Sequence, residues 1–253
     1  MKKSMLLAFI FVCITATIFA QSQGAKSASR FMLGVLGGLN IPRLSDGSSN
    51  EMTSDYTSRL GEAFGVTASY SFMPNLSIRA DALYSSEGGR RKGMQAIDAT
   101  AFNPMVPAGS YFYADFKNES ILNYFEVPLM LKFSVPAGKP LKCYADFGPM
   151  IGLLLNAKQE TSGESVVFAD KEGTIPIVPE KQSFESSVTT TKSIKPVNFG
   201  LTGGFGASYG GSFGEVFLDI RGAYGLTYVQ KNASDGKSHN GNLLIALGYC
   251  IHI

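Results

Sequence analysis

The sequence predicts an all-β fold, an eight-stranded antiparallel up-and-down transmembrane β-barrel with short turns at one end and long loops at the other. Three observations predict it. Eight segments alternate apolar and polar or glycine residues with a period of two, as a sheet with two different faces requires. The connections between them alternate short and long, which is the pattern of an outer-membrane barrel with periplasmic turns and extracellular loops. Beyond the first 21 residues no stretch has the length and apolarity of a membrane helix, and none keeps an i, i+3, i+4 rhythm.

The N-terminus is set apart from this pattern. Lys2 and Lys3 precede a run over 5–20 that carries no charge, ending at Phe19, Ala20 and Gln21. The run is too short to span a bilayer, and a small residue at position 20 suits a signal peptidase, so 1–20 reads as a cleaved export signal despite Ile18 at the usual small position. Residues 21–30 then form a short periplasmic lead, and 31–253 the barrel. Cys13 lies inside the apolar run behind Val12 and is no lipidation site. Removing the signal takes away two lysines and no acid, leaving 22 − 2 = 20 basic against 20 acidic residues. A neutral chain without a basic stripe is no nucleic-acid binder, and its apolar content excludes disorder.

Each strand follows in order. Over 31–40, Phe31, Leu33, Val35 and Leu39 face one way and Gly34, Gly38 and Asn40 the other. Over 64–72, Phe64, Val66, Ala68, Tyr70 and Phe72 oppose Gly65, Thr67, Ser69 and Ser71, and over 76–86, Leu76, Ile78, Ala80, Ala82 and Tyr84 oppose Ser77, Arg79, Asp81 and Ser85. The fourth segment, 121–135, sets Phe125, Val127, Leu129, Leu131 and Phe133 against Tyr124, Glu126, Lys132 and Ser134. The fifth, 141–156, sets Leu141, Cys143, Ala145, Phe147, Ile151 and Leu153 against Lys142, Asp146, Gly148 and Gly152. Segments 197–209, 215–229 and 242–253 repeat the scheme, with Asn198, Thr202, Asp219, Arg221, Ala246 and Cys250 on the polar or small side. Cys143 and Cys250 therefore fall on opposite faces and are not expected to pair.

Short links at 73–75, 136–140 and 210–214 contrast with long ones at 41–60, 87–119, 157–195 and 230–241. An apolar face on every strand is buried by lipid only if the sheet closes, because an open edge leaves unpaired backbone groups. Tyr84 and Tyr228 at the outer ends, and Phe72, Phe133 and Tyr209 at the inner ends, supply interfacial girdles. Pro128 and Pro149 each delete a ladder hydrogen bond within a strand, so bulges or a local break are expected there.

An eight-stranded barrel is just wide enough to be filled by side chains. Its inward set holds Arg79, Lys132, Lys142 and Arg221 against Asp81, Glu126, Asp146 and Asp219. Equal numbers point to a salt-bridged plug, since a selective pore shows one dominant sign. Arg79, Asp81, Asp219 and Arg221 come from opposite strands at similar heights and are expected to form one network, with charged ends within about 6 Å.

Chemistry is sparse. His239 and His252, the only histidines, have no Cys or carboxylate at ligand spacing and make no metal site. A rim hydrolase could recruit His239 with Ser238 or Asp235, against the plainer reading of a polar loop residue. Gly203, Gly204 and Gly206 lie within a strand with no helix behind them, so they make room inside the barrel instead of binding phosphate, and no cofactor is implied. The loops hold the remaining candidates. Arg90, Arg91, Tyr111, Phe112 and Tyr113 in 87–119, and β-prone stretches at 165–168 and 188–191 expected to prolong the strands as hairpins beyond the membrane, suit contacts with a protein or glycan.

Several of these segments, in order, resemble the PorT-like outer-membrane β-barrel proteins of Bacteroidetes, eight-stranded barrels of the OmpA/OmpX kind. They are FMLGVLGGLN at 31–40, the segment 76–88, FEVPLMLK at 125–132, FGPMIG at 147–152, FGLTGG at 199–204 and DIRGAYGL at 219–226. The resemblance makes Pro128 a family feature and implies a non-enzymatic envelope protein, with type IX secretion as the process in which the founding member takes part. It brings no catalytic residues. Gly248, Ile251 and Ile253 resemble the C-terminal signal read by the outer-membrane insertion machinery, with isoleucine in place of the usual terminal aromatic. The expected partners are outer-membrane lipid, that machinery and an envelope protein. A small transport pore is the alternative, a rim hydrolase the less favoured one.

Overall fold

The computed structural model describes residues 30–45, 51–52, 55–101, 104–107, 109–211, 214–232 and 236–253. The export signal, Cys13 and Asp235 lie outside the described residues. Eleven strands run in chain order: β1 (Phe31–Ser45), β2 (Gly61–Met73), β3 (Leu76–Asp98), β4 (Tyr111–Pro136), β5 (Leu141–Ser162), β6 (Glu164–Phe168), β7 (Pro176–Ser183), β8 (Ser186–Thr189), β9 (Val197–Gly211), β10 (Gly214–Tyr228) and β11 (His239–His252). Eight of them close a ring, β1-β2-β3-β4-β5-β9-β10-β11, whose last strand pairs antiparallel with the first from Met32↔His252 to Ser45↔His239. Every neighbouring pair in the ring is antiparallel. The chain is an eight-stranded antiparallel barrel, and among the described residues no helix is long and apolar enough to cross a membrane.

The faces follow the alternation. Leu33, Val66, Leu129, Leu131, Phe147, Phe205, Leu218 and Leu247 are exposed on the outside, where only lipid can remove them from water. Phe72, Phe133 and Tyr209 ring the inner end of this band. At its outer end stand Tyr228 and Tyr84, the latter 5.1 Å from the Phe64 ring. Cys143 is exposed and Cys250 buried, both as free thiols.

The prolines act as local breaks without a bulge. In β3–β4 the pairing stops at Ala80↔Leu129 and resumes at Leu83↔Glu126 in the same register, skipping Pro128. In β4–β5 it stops at Pro128↔Met150 and resumes at Leu131↔Phe147, skipping Pro149. Each missing N–H removes rungs, but the flanking ladders hold the register and the strand count stands. The one irregularity between these strands falls at Asn123/Tyr124.

The expected loop 87–119 is corrected, whereas within 157–195 the β-prone stretches 165–168 and 188–191 meet strands β6 and β8. β3 and β4 continue as one hairpin well past the lipid-facing band, paired from Glu87↔Leu122 out to Asp98↔Tyr111. Beyond β5, the hairpin β6–β7 leans on β4 through Tyr113↔Phe168, and β8 pairs with the end of β5 from Lys158↔Thr189 to Thr161↔Ser186. Strands can run on into water because ladder bonding does not depend on which solvent covers the faces.

Candidate functional site

The lumen is filled in tiers. β3 and β10 stand four places apart in the ring of eight, on opposite walls. From β3, Arg79 reaches Asp81 at 2.9 Å and Asp219 of β10 at 2.9 Å, with Asp146 of β5 at 3.4 Å. From β10, Arg221 reaches back to Asp81 at 2.8 Å and also grips Asp219. All five side chains are at most 3% exposed. Tyr144 donates its hydroxyl to Asp219 at 3.1 Å, and Arg79 Nε lies 3.2 Å from the Thr67 hydroxyl. Charges so far from water persist only when paired and hydrogen-bonded, and here two guanidinium groups bridge three carboxylates across the full width of the barrel.

Three residues expected in this network stand apart from it. Lys132 lies with its ammonium 3.7 Å from the centroid of the Tyr144 ring, a cation–π contact. Lys142 is half exposed at the inner end, 3.9 Å from Glu215, because β5 has only just left its turn there. Glu126 is buried in the lumen but makes no ion pair among the described residues.

A second polar tier went unseen in the sequence. Glu87 is fully buried and accepts hydrogen bonds from Ser85 Oγ at 2.6 Å, Asn242 Nδ2 at 2.6 Å, Asn40 Nδ2 at 2.7 Å and Asn240 Nδ2 at 3.2 Å. Four side-chain donors from β1, β3 and β11 satisfy its oxygens, and among the described residues no cation pairs with it. The signal was present: Glu87 continues the odd-numbered inward series of Arg79, Asp81 and Ser85, but it stands first in the expected loop 87–119.

Two apolar clusters complete the filling. Leu36, Ala63, Leu83, Tyr144, Phe217, Leu244, Ala246 and Cys250 form one of them. Glycines make the space for its rings: an added Cβ at Gly248 would lie 2.1 Å from the Phe217 ring, and one at Gly206 2.4 Å from Tyr144. Leu44, Tyr56, Leu122, Tyr124, Ala157, Ile194 and Val229 close the outer mouth. Tyr56 comes from the first outer loop, which is tied to β3 by the Thr57↔Arg90 bridge and to β1 by Arg43 Nε donating to Tyr56 O at 3.1 Å.

The outer candidates divide. Arg91 is buried, donating to Met52 O at 2.6 Å and Glu51 O at 3.0 Å, so it pins the first loop and is not a surface contact. Arg90 is exposed beside Thr57. Tyr111, Phe112 and Tyr113 are half-buried within β4, not in a loop. His239 stacks on Tyr224 at 5.4 Å and meets the tilted ring of Tyr228 at 4.7 Å, and its Nδ1 lies 2.8 Å from Gly225 O. The Ser238 hydroxyl is engaged by Gln230 Nε2 at 3.2 Å. Serine and histidine are thus each held by other groups. Gly203, Gly204 and Gly206 all lie within β9.

A closed barrel with a lipid-facing apolar band and a packed interior defines an integral membrane protein of the outer-membrane type. Residues 19–230 match the family described as outer membrane protein beta-barrel domain, and the chain belongs to that family. No functionally curated protein matches it in sequence. Among solved structures it is similar to Neisserial surface protein A (16% identity, TM-score 0.40, covering 90% of this chain and 100% of that one). Similarity extends to the attachment invasion locus protein Ail of Yersinia pestis (12%, 0.35, 89% and 100%) and to OprG of Pseudomonas aeruginosa (14%, 0.39, 90% and 99%).

Proposed function

We propose that this barrel is a non-enzymatic envelope protein that acts through the hairpins projecting outside the membrane, with another envelope protein as its partner. The observation that carries the reading is the pair of free strand edges beyond the membrane. Among the described residues β7 pairs only with β6, and β8 only with β5. Ile175, Ile177 and Val188 are exposed beside these edges. Unpaired N–H and C=O groups flanked by apolar side chains suit the addition of a partner strand. Between β4, β5 and β8 lies a polar cavity of about 390 Å³ lined by Lys117, Glu119, Glu160, Thr161, Ser162, Glu185, Ser186 and Ser187, a second contact surface on the same side.

The PorT-like motifs make protein secretion of the type IX kind the first process to test. We also infer that residues 1–20 are removed on export, and that Gly248, Ile251 and Ile253 are read by the insertion machinery. The test is cross-linking in intact cells followed by purification from outer membranes, comparing the full chain with one in which 164–189 is replaced by a short turn. Loss of a stoichiometric partner with unchanged heat-modifiable migration of the barrel supports the proposal. Retention of every partner by the trimmed chain overturns it.

A further inference from the structure

The outer rim carries a basic cluster used by neither the lumen nor the free edges. The turn Thr191–Ser193 and the residues after it are held from two sides. Ala157 N donates to Thr191 Oγ1 at 2.8 Å and Thr190 N to Ala157 O at 2.9 Å, while Lys195 N donates to Val229 O at 2.8 Å and Lys231 N to Ser193 O at 3.0 Å. Ile194 points inward, into the cluster that closes the mouth. Side chains alternate along an extended chain, so Lys195 points outward, in line with Val197 and the lipid-facing Phe199. Its Nζ lies 5.7 Å from the ring centroid of Tyr228, the lipid-facing aromatic at the outer end of β10. Lys231 Nζ donates to Lys192 O at 2.7 Å, which ties the two lysine-bearing segments together.

The lysines that form ion pairs are Lys117, Lys142, Lys158 and Lys171; among the described residues Lys192, Lys195 and Lys231 meet no carboxylate. The stretches 190–196 and 230–241 together hold four lysines, Lys192, Lys195, Lys231 and Lys237, against a single acid, Asp235.

We propose that Lys192, Lys195 and Lys231 form a binding site for the phosphate of an outer-leaflet glycolipid. The proposal rests on the reading above that the long hairpins lie outside the outer membrane. Lys195 stands at the height of the aromatic girdle, where headgroup phosphates lie, and the paired backbone sets Lys192 and Lys231 just beyond it. The Lys195 ammonium, 5.7 Å from the Tyr228 ring, puts a charge at that level. A ligand reaching Lys195 against Tyr228 while also meeting Lys192 and Lys231 has to share the membrane interface, which selects a lipid headgroup over an anion in solution.

The experiment uses the refolded full barrel in phosphatidylcholine discs containing either bisphosphorylated lipid A or the same lipid with its phosphates removed, and reads the dissociation constant. Binding of the phosphorylated form alone is expected. Each lysine is worth about five-fold, so Lys192→Ser/Lys195→Ser/Lys231→Ser is expected to weaken binding on the order of a hundred-fold, and Lys139→Ser in an inner turn not at all. Equal binding of both lipids, an unaffected triple variant, or full displacement by inorganic phosphate overturns the site. Folded migration on unheated gels is read in parallel. Its loss in the wild type counts against the barrel reading and not against the lipid site, and if the triple variant alone fails to fold, Lys195→Gln carries the same comparison.

Discussion

Arg79 is the residue on which the lumen most depends, because it touches three carboxylates while Arg221 touches two. Arg79→Met leaves Asp146 without its cation and strips Asp81 and Asp219 of one each, so a loss of about 3–5 kcal/mol is expected in urea unfolding of the refolded barrel. Lys142→Ala, at the half-exposed inner end, is expected to change stability by less than about 0.5 kcal/mol. Equal losses would return Lys142 to the network. Glu87→Leu is expected to cost about 1–3 kcal/mol for each amide donor left buried without water or a partner, measured the same way. The two polar tiers differ in how far the sequence revealed them. Arg79, Asp81, Asp219 and Arg221 were legible because alternation fixes their face, and the strand order fixes that they meet. Asp146 joined as an inward residue at the right height. Glu87 was hidden because the alternating segment was ended at 86, and Arg91 was misread because a loop that folds back, bringing Glu51 and Met52 to its guanidinium, leaves no periodic trace.

At the scale of elements, the sequence marks the strands well inside the membrane and poorly beyond it. Within the bilayer one face must be apolar, which writes the period of two into 76–86 and 121–135. Outside, both faces of the β3–β4 hairpin meet water or a folded-back loop, so the constraint lapses and 87–98 reads as loop although it is strand. That outer hairpin is steadied by Glu119, which accepts from Arg59 Nε at 3.0 Å and lies 2.7 Å from Lys117 Nζ. Partial burial pushes the Glu119 carboxyl up, but these two cations outweigh it and hold it below the usual carboxylate range. A depressed folded value means that the pair stabilises above the ordinary glutamate pKa of about 4.3 and that this is lost as pH falls through the lower folded value. Proteolysis of the outer hairpin is therefore expected to quicken below about pH 4, while Glu119→Gln is expected to flatten that dependence. A flat wild-type profile would mean that the pair is too screened to matter.

For the whole molecule, the decisive contrast is between a barrel that holds a passage and one that is a solid post for its hairpins. The fold was legible because lipid leaves so few choices: an apolar face on every strand, and no edge. The role was not, since the outer hairpins escape the constraint that lipid places on the strands and their composition carries no periodic trace. Seals at different heights now separate the alternatives. Arg79 and Arg221 join opposite walls, Glu87 ties β3 to β1 and β11 above them, and Tyr56, Tyr124, Ile194 and Val229 close the mouth. An ion crossing the barrel has to break all of these, and opening one leaves the others shut. The wild-type barrel in planar bilayers is therefore expected to show no steady conductance, and so is Tyr56→Ala, which removes only the lid. Tyr56→Ala is still expected to cost about 3–5 kcal/mol in unfolding, as the loss of a buried aromatic does. A persistent ohmic current through the wild type would show that the tiers open together, and would move the function from the hairpins to the lumen. Silence in both proteins, with only the stability changed, is the outcome that the role proposed for the outer hairpins requires.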